Sequence, residues 1–385
     1  MLILYSETGG GHRAAALALT EALQRLEPGL RVARADPLIG QGPRVVRRLA
    51  GLYSPLIRRS RALWAVVYYS SNLGGTFAAI RAVLGPQVRR VLEALLERHD
   101  PDVVVSVHPL VNHVAWQAIS RGPRRRGLMV VVTDLVEFHR GWSFPRADLV
   151  VVPSEGAYDE CRGRHVPRER LKVLGLPVSL RFRPAAPGER QALRRRFGLD
   201  EHRFTVLVVG GGEGSAGMIE QVRALCWDEQ PWQVIAVCGR NERLRRRLSR
   251  VHFRTPTTLL GFVDHMPELM RAADLVVTKA GPGAIGEALA SDLPLLITSH
   301  LPGQETANIG FVTATGVGLY VPDPEALQAA VSRLAADGGR EAKRMAERAA
   351  EVWRPYAALD IAREAITIGR RFASAPQTEA SQTSR

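Results

Sequence analysis

The chain places a histidine where a strand-like run gives way to a helical one. In "YSETGGGHRAAALAL", residues 5–19, three glycines precede His12 and an alanine-rich run follows it. A histidine titrates near neutrality and suits removal of a proton from a hydroxyl at working pH. Glycines let the backbone approach a ligand and point N–H groups outward. A helix N-terminus adds partial positive charge that favours phosphate. The alternative is a plain turn with His12 as a cap or a solvated side chain. A carboxylate, Glu287, follows the rigid turn Gly281-Pro282-Gly283 in "TKAGPGAIGEAL". There it can accept two hydrogen bonds from vicinal hydroxyls such as those of a ribose, or simply complement a helix dipole. Gln304 and Glu305 follow a second Pro-Gly turn after a strand, the place where open α/β sheets bind ligands. Asp134, in "VVTDLVEFH" after an apolar run, is the rival base or the orienting partner of a histidine.

These residues need a frame. Strand-like runs fall at Leu2–Tyr5, Val103–Val107, Leu128–Val132, Leu149–Val152, Thr205–Val209, Val234–Val237, Leu275–Val277 and Leu295–Ile297, with helical patterns between most of them. Such alternation predicts parallel α/β sheets. The stretch "GLPVSLRFRPAAPGER" (175–190) reads as a linker, after which "TVLVVGGGEGSAGM" repeats the strand, Gly-rich loop and helix. Two such openings predict two Rossmann-like domains facing across a cleft. The expected division is an N-terminal domain at 1–178, a linker region at 179–202 and a second domain at 203–352. A helix at 353–372 returns to the first domain, and a disordered polar tail fills 373–385. Gly212-Glu213-Gly214-Ser215-Ala216-Gly217 matches the dinucleotide fingerprint. The acidic residue that should follow the next strand is out of place, since "QVIAVCG" runs into Gly239-Arg240-Asn241, which argues against a nicotinamide enzyme.

The composition, 46% hydrophobic and 23% charged over 385 residues, is that of a globular protein large enough for two domains. The scattered Cys161, Cys226 and Cys238 suggest no disulfide framework. No run approaches a transmembrane length, and no leader is expected. Together these predict a cytoplasmic protein, peripheral on the inner face of the cell membrane. The net charge is +14. From Pro37 to Leu92 it includes Arg44, Arg47, Arg48, Arg58, Arg59, Arg61, Arg81, Arg89 and Arg90 with no acidic residue. Trp64, Tyr68, Tyr69 and Phe77 are interleaved with them. That pattern suits an anionic lipid surface, with Arg58, Arg59, Arg61, Trp64 and Tyr68 as the expected contacts. Nucleic acid is the rival partner, and ordinary solvated arginines are the plain alternative.

Taken in order, "SETGGGHRAAALAL", "SVHPLVNHV", "VTDLVEFHRGW", "GLPVSLRF", "GFVDHMPELM", "TKAGPGAIGEAL" and "LPGQETAN" resemble the monogalactosyldiacylglycerol synthases and processive diacylglycerol glucosyltransferases. The resemblance runs from about Leu2 to about Tyr356. It implies a GT-B fold, with a lipid acceptor held by the N-terminal domain and a UDP-sugar by the C-terminal one. Gly210, Gly211, Gly212 and Gly214 would sit beside the diphosphate, with Gly281 and Gly283 also on the donor side. The backbone at Phe262 and Val263 would read the uracil ring, Glu287 would hold the ribose, and Gln304 and Glu305 would hold the sugar hydroxyls. His12 would face the reacting hydroxyl. Gly10, Gly11, His108, Asn112, His139 and Trp142 fall on the acceptor side, and His113 is acceptor-side or structural. Members of the family invert the anomeric centre without an active-site metal, so no cofactor is expected. Ser291-Asp292-Leu293 departs from the usual turn, and glucose or galactose stays open. The implied reaction is inverting transfer of a hexose from a UDP-sugar to diacylglycerol, or to another lipid alcohol. A nucleic-acid-binding α/β protein is the reading from a different class.

Overall fold

The computed structural model describes residues 1–7, 10–52, 55–56, 60–210 and 217–373. The chain divides into two compact units. The first comprises Met1–Leu180, Pro302–Gln304 and Tyr356–Arg385; the second comprises Arg181–Leu301 and Glu305–Pro355.

The first unit is built on a parallel six-stranded sheet in the order β2-β1-β3-β4-β5-β6. Its strands are β1 (Leu2–Leu4), β2 (Ala33–Ala35), β3 (Val103–Ser106), β4 (Gly127–Val131), β5 (Leu149–Val152) and β6 (Leu171–Val173). Its helices are α1 (Gly10–Leu26), α2 (Arg44–Gly51), α3 (Arg61–Asn72), α4 (Gly74–His99), α5 (Asn112–Arg121) and α6 (Glu155–Gly163). The inner strands are apolar on both faces because helices cover both. Leu2, Leu4, Val104 and Val130 point to one side and join Val88 and Leu92 of α4 and Val114 of α5. Ile3, Val105, Met129 and Val131 point to the other and join Ala16 and Leu19 of α1. That second face is closed by the chain's last described helix, Ala357–Ala373, through Ile361, Ile366 and Ile368. Approach there is tight: a Cβ on Gly127 would lie 2.3 Å from Ile368 Cγ2. The Asp100-Pro101-Asp102 pair is held by Arg124, and Arg126 also bonds Asp100.

The second unit carries a parallel sheet in the order β12-β11-β10-β7-β8-β9. In chain order it runs α7 (Glu189–Arg196), β7 (Phe204–Val209), α8 (Met218–Cys226), β8 (Trp232–Val237), α9 (Glu242–Leu248) and β9 (Thr257–Leu260). It continues with α10 (Met266–Ala272), β10 (Leu275–Lys279), α11 (Pro282–Ala290), β11 (Leu295–Ser299), α12 (Thr306–Ala314), β12 (Gly318–Tyr320) and α13 (Pro324–Val352). The helix returning to the first unit is α14 (Ala357–Ala373).

The linker expectation at 179–202 needs correcting. The residues from Arg181 onward belong to the second unit, and α7 is built into it by a buried ion pair. Arg194, 4% exposed, bonds Asp274, the Ala272 carbonyl and the Glu201 carbonyl. Asp274 also accepts the Thr205 backbone N–H at 2.8 Å, so α7 is tied to the start of β7. Residues 374–385 of the expected tail lie outside the described residues.

Candidate active site

In the first unit, the chemistry-bearing residues collect at the carboxyl ends of three neighbouring strands, β1, β3 and β4. Parallel α/β sheets bind ligands there, where helix N-termini and loops converge. His12 lies in the first turn of α1. Its Nδ1 is 3.0 Å from the Thr133 hydroxyl, just past β4. His108, following β3, sets its ring edge-on to His12 with centroids 4.6 Å apart. Trp142 lies 6.0 Å from the His12 ring. One edge of His12 reaches solvent, yet the ring is packed deeply enough that burial drops its pKa to about 4, while a hydrogen bond to the Val107 backbone opposes the drop. His108 is pushed well below the usual range by burial and by the neighbouring His12 and His139. His12 is therefore a neutral imidazole at physiological pH, the form able to accept a proton.

The loop after β4 is fixed from beneath. The Trp142 indole N–H donates to Asp134 Oδ2 at 2.7 Å. Asn112 Nδ2 donates to the Gly141 carbonyl at 2.8 Å, and the Gly141 N–H donates to His139 Nδ1 at 3.1 Å. A Cβ on Gly141 would lie 2.6 Å from the Pro109 carbonyl oxygen, so only glycine lets the two loops meet. Asn112 and Trp142, expected on the acceptor side, are fully buried and shape the loop from inside. His139 is buried with them, and burial lowers its pKa to about 4. Gly10 and Gly11 stand exposed in the first turn of α1, and a Cβ on either would meet nothing within 4 Å. Neither adopts a positive φ. Two glycines in a helix cost about 1 kcal/mol each against alanine, and here the chain's own packing does not require them. Thr133 is not among the residues expected from the sequence, which offers only the charged Asp134 as a partner for the histidine.

In the second unit, the expected donor residues lie past the carboxyl ends of its strands. Gly210 follows β7, Phe262 and Val263 follow β9, Gly281 caps α11 after β10, and Glu305 follows β11. Gly211, Gly212 and Gly214 lie outside the described residues. Glu287 is half-buried on α11, its carboxyl has no hydrogen-bond partner among the described residues, and burial raises its pKa to about 7. Phe262 is exposed, with the Arg240 guanidinium over its ring at 4.6 Å. Glu305 differs from expectation. It is 2% exposed, with Oε1 paired to Lys279 and Oε2 accepting the Leu301 N–H at 2.8 Å. Both oxygens are occupied, so Glu305 braces its own loop and holds Lys279 rather than presenting a free carboxylate to sugar hydroxyls. Lys279, beside Gly281 at the end of β10, is the cation that sequence reasoning passed over. Gln304 belongs to the first unit, so the structure does not group it with Glu287. Its carboxamide oxygen is buried without a hydrogen-bond partner.

The expected membrane contacts are only partly legible. Arg58 and Arg59, and the side chain of Arg61, lie outside what is described. Trp64 and Tyr68 are corrected to buried positions, at 9% and 7% exposure. They are four residues apart on α3 and share its inward face. The outward residues are Leu63, Val66, Val67, Tyr69 and Leu73.

Two parallel sheets, each flanked by helices, with the site residues past their carboxyl ends, are the architecture of the GT-B fold. The solved structure of Acinetobacter baumannii MurG superposes with a TM-score of 0.62 at 17% identity, covering 95% of this chain and 99% of that one. Anabaena Alr3699/HepE, solved with UDP and glucose, gives 0.54 at 17% identity over 97% of each chain. The family model for monogalactosyldiacylglycerol synthase matches residues 12–178, and that for the glycosyltransferase family 28 C-terminal domain matches residues 205–357. Monogalactosyldiacylglycerol synthase 1, chloroplastic, of Arabidopsis thaliana is 31% identical over 98% of this chain and 72% of its own length. The Spinacia oleracea enzyme is 33% identical over 94% and 71%. The chain belongs to the monogalactosyldiacylglycerol synthase family of glycosyltransferases. The expected placement on the inner face of the cell membrane is overturned, because these relatives are chloroplastic proteins. Composition and cysteine usage do not separate that compartment from cytoplasm. Among the described residues, no helix is long and apolar enough to cross a membrane.

Proposed function

We propose that the protein transfers galactose from UDP-galactose to the free hydroxyl of 1,2-diacylglycerol, with inversion at the anomeric carbon. The observation that carries this reading is the His12 imidazole, held neutral by burial and oriented by Thr133. Thr133 and the Val107 backbone hold the ring, and a neutral imidazole bears hydrogen on one nitrogen and keeps a lone pair on the other for the acceptor proton. The acceptor oxygen bonds to the anomeric carbon as the bond from that carbon to the diphosphate oxygen breaks. The proton ends on His12 and UDP leaves. The choice of galactose and diacylglycerol rests on the names of the relatives matched over almost the whole chain.

The second unit supplies the donor site in this reading. Glu287, unpartnered and half-buried, accepts the ribose hydroxyls. Lys279 and the N-terminus of α11 face the diphosphate, where fixed positive charge stabilises the leaving group. No cofactor is invoked. The outward face of α3, with Leu63, Val66 and Tyr69 exposed and Leu73 exposed just past its end, in a segment free of acidic residues, rests on an anionic lipid surface. Incubation with labelled UDP-galactose or UDP-glucose and diacylglycerol vesicles tests the assignment. A β-galactolipid is the expected product, read from its anomeric coupling constant. Glucolipid alone would correct the sugar, and no glycolipid with either donor would overturn the reading.

A further inference from the structure

Asp36 directly follows β2, a strand that carries none of the site residues named above. It is buried at the same carboxyl edge of the first sheet as His12, and the transfer step does not use it. Both of its oxygens accept hydrogen bonds, and they face different loops. Oδ1 accepts the backbone N–H groups of Leu38 at 2.9 Å and Ile39 at 2.8 Å. The Asp36 carbonyl accepts the Gln41 N–H at 2.8 Å. These bonds wind residues 36–41 into the turn that leads towards α2, and a Cβ on Gly42 would run into the Leu38 carbonyl.

Oδ2 crosses to the other loop. It accepts the Glu7 backbone N–H at 2.9 Å, and the Ser6 hydroxyl donates to it at 3.3 Å. The ladder between β1 and β2 ends with Leu4 opposite Ala35 and the Tyr5 N–H on the Ala35 carbonyl. The Asp36 side chain carries that pairing one step further, to Glu7. Glu7 is the last residue described before α1 opens at Gly10, and its carboxyl pairs at 3.6 Å with Arg13, the neighbour of His12. That exposed pair is weak, and a Cβ on Gly10 or Gly11 would meet nothing within 4 Å. The turn bearing His12 therefore has its firm anchor upstream, where a buried carboxyl is kept in place by its hydrogen bonds. A base needs such a fixed place, because a misplacement of about 1 Å can cost roughly 10²-fold in rate.

We propose that Asp36 is a positioning residue for sugar transfer: by holding the Glu7 N–H it fixes the entry to the Gly-rich turn and, through it, the place of the His12 imidazole. The proposal rests on the reading of His12 as the base.

Asp36→Asn separates the two halves of the carboxyl. The amide keeps one acceptor for Leu38 and Ile39 and puts an NH₂ group in place of Oδ2. That group can donate to the Ser6 hydroxyl oxygen but cannot accept from Glu7. Asp36→Ser keeps an acceptor for the turn without setting a donor against the Glu7 N–H, and so guards against a folding defect in the first variant. In both, kcat should fall about tenfold or more, with the KM for UDP-galactose and the calorimetric affinity for UDP unchanged. Magnetic resonance of isotope-labelled histidine supplies a readout that does not need turnover. The His12 titration should move from about 4 towards 6.5, while His108, whose ring faces it from the loop after β3, stays well below its usual range. Turnover within about twofold of the parent in either folded variant overturns the proposal, as does a shift of both histidines together, which marks general loosening. A parent that makes no glycolipid fails the transferase reading alone, and the His12 titration then decides whether Asp36 holds the turn.

Discussion

Glu287→Gln should stabilise the ligand-free protein and weaken donor binding at the same time. The carboxyl's pKa rises from its usual 4.5 to about 7 because burial disfavours its charge and no partner offsets it. At about 1.4 kcal/mol per pKa unit the full shift corresponds to about 3 kcal/mol, which solvent at a half-buried side chain reduces to about 1–3 kcal/mol. The sign follows from the two states. Below pH 4.5 the carboxyl is neutral in both folded and unfolded chains, and nothing is lost. From 4.5 to about 7 the unfolded chain ionises first, so stability falls as pH rises. Above 7 the whole penalty is present. Glutamine mimics the neutral form and removes it. Thermal unfolding of the ligand-free variant should therefore match the parent near pH 4.5 and exceed it by roughly 2–8 °C at pH 8.5. Donor binding moves the other way. The amide no longer offers two charged acceptors to the ribose, and affinity for UDP-galactose should drop about tenfold to a hundredfold. UDP-galactose has no ionisation near neutrality, so the parent's affinity should strengthen as pH rises through about 7, and the variant's should stay flat. An unchanged melting temperature at pH 8.5 together with unchanged affinity would refute both halves of the reasoning.

Four further outcomes are expected. His12→Ala should lower turnover about 10²-fold or more while UDP affinity is retained; near-normal turnover would pass the base role to Asp134. Thr133→Val should lower kcat about tenfold with the KM for UDP-galactose unchanged, and Thr133→Ser should restore it. Acidification should destabilise the first unit: His12 and His139 sit near pKa 4 and His108 well below its usual value. Between pH 6.5 and 4 the unfolded chain binds more protons, at about 1.4 kcal/mol per pH unit for each histidine, and His108→Asn should reduce the slope seen in denaturant melts. Replacing Leu63 and Val66 with Glu should cut binding to anionic vesicles severalfold and leave UDP affinity intact; unchanged flotation would remove α3 from the lipid contact.

Eight strands were legible in the sequence, and all eight lie inside the sheets. The four that were not, β2, β6, β9 and β12, are the four sheet edges. An inner parallel strand is covered on both faces and must be apolar throughout, as in "LMVVV". An edge strand pairs on one side only, so Ala33–Ala35 contains an exposed Arg34 and Leu171–Val173 an exposed Lys172, and neither leaves an apolar run. At the site, His12 and Glu287 were legible because a Gly-rich turn before a helix is a local pattern. Thr133 was not, because its hydroxyl meets the histidine from 121 residues away. The engagement of Glu305 by Lys279 spans 26 residues and likewise leaves no local mark. Trp64 and Tyr68 were misjudged for another reason. Aromatics among arginines suggest an interface, but only their spacing of four says that they share one helix face, and the structure shows that face turned inward.

The helix that closes the first unit is made after the whole of the second unit. Until Ile361, Ile366 and Ile368 of α14 are in place, α1 covers only part of the face formed by Ile3, Val105, Met129 and Val131. At ribosomal speeds of about 5–20 residues per second, the interval between completing Leu180 and reaching Ala357 is roughly 10–35 s. During that interval the nascent chain displays the part of that apolar sheet face that α1 does not shield. The second unit, almost contiguous in sequence, has no such wait. Order of synthesis and order of completion therefore differ: the first unit is begun before the second and finished after it. Translation stopped short of Ala357 leaves a chain with an exposed β surface, a substrate for chaperones rather than a smaller enzyme.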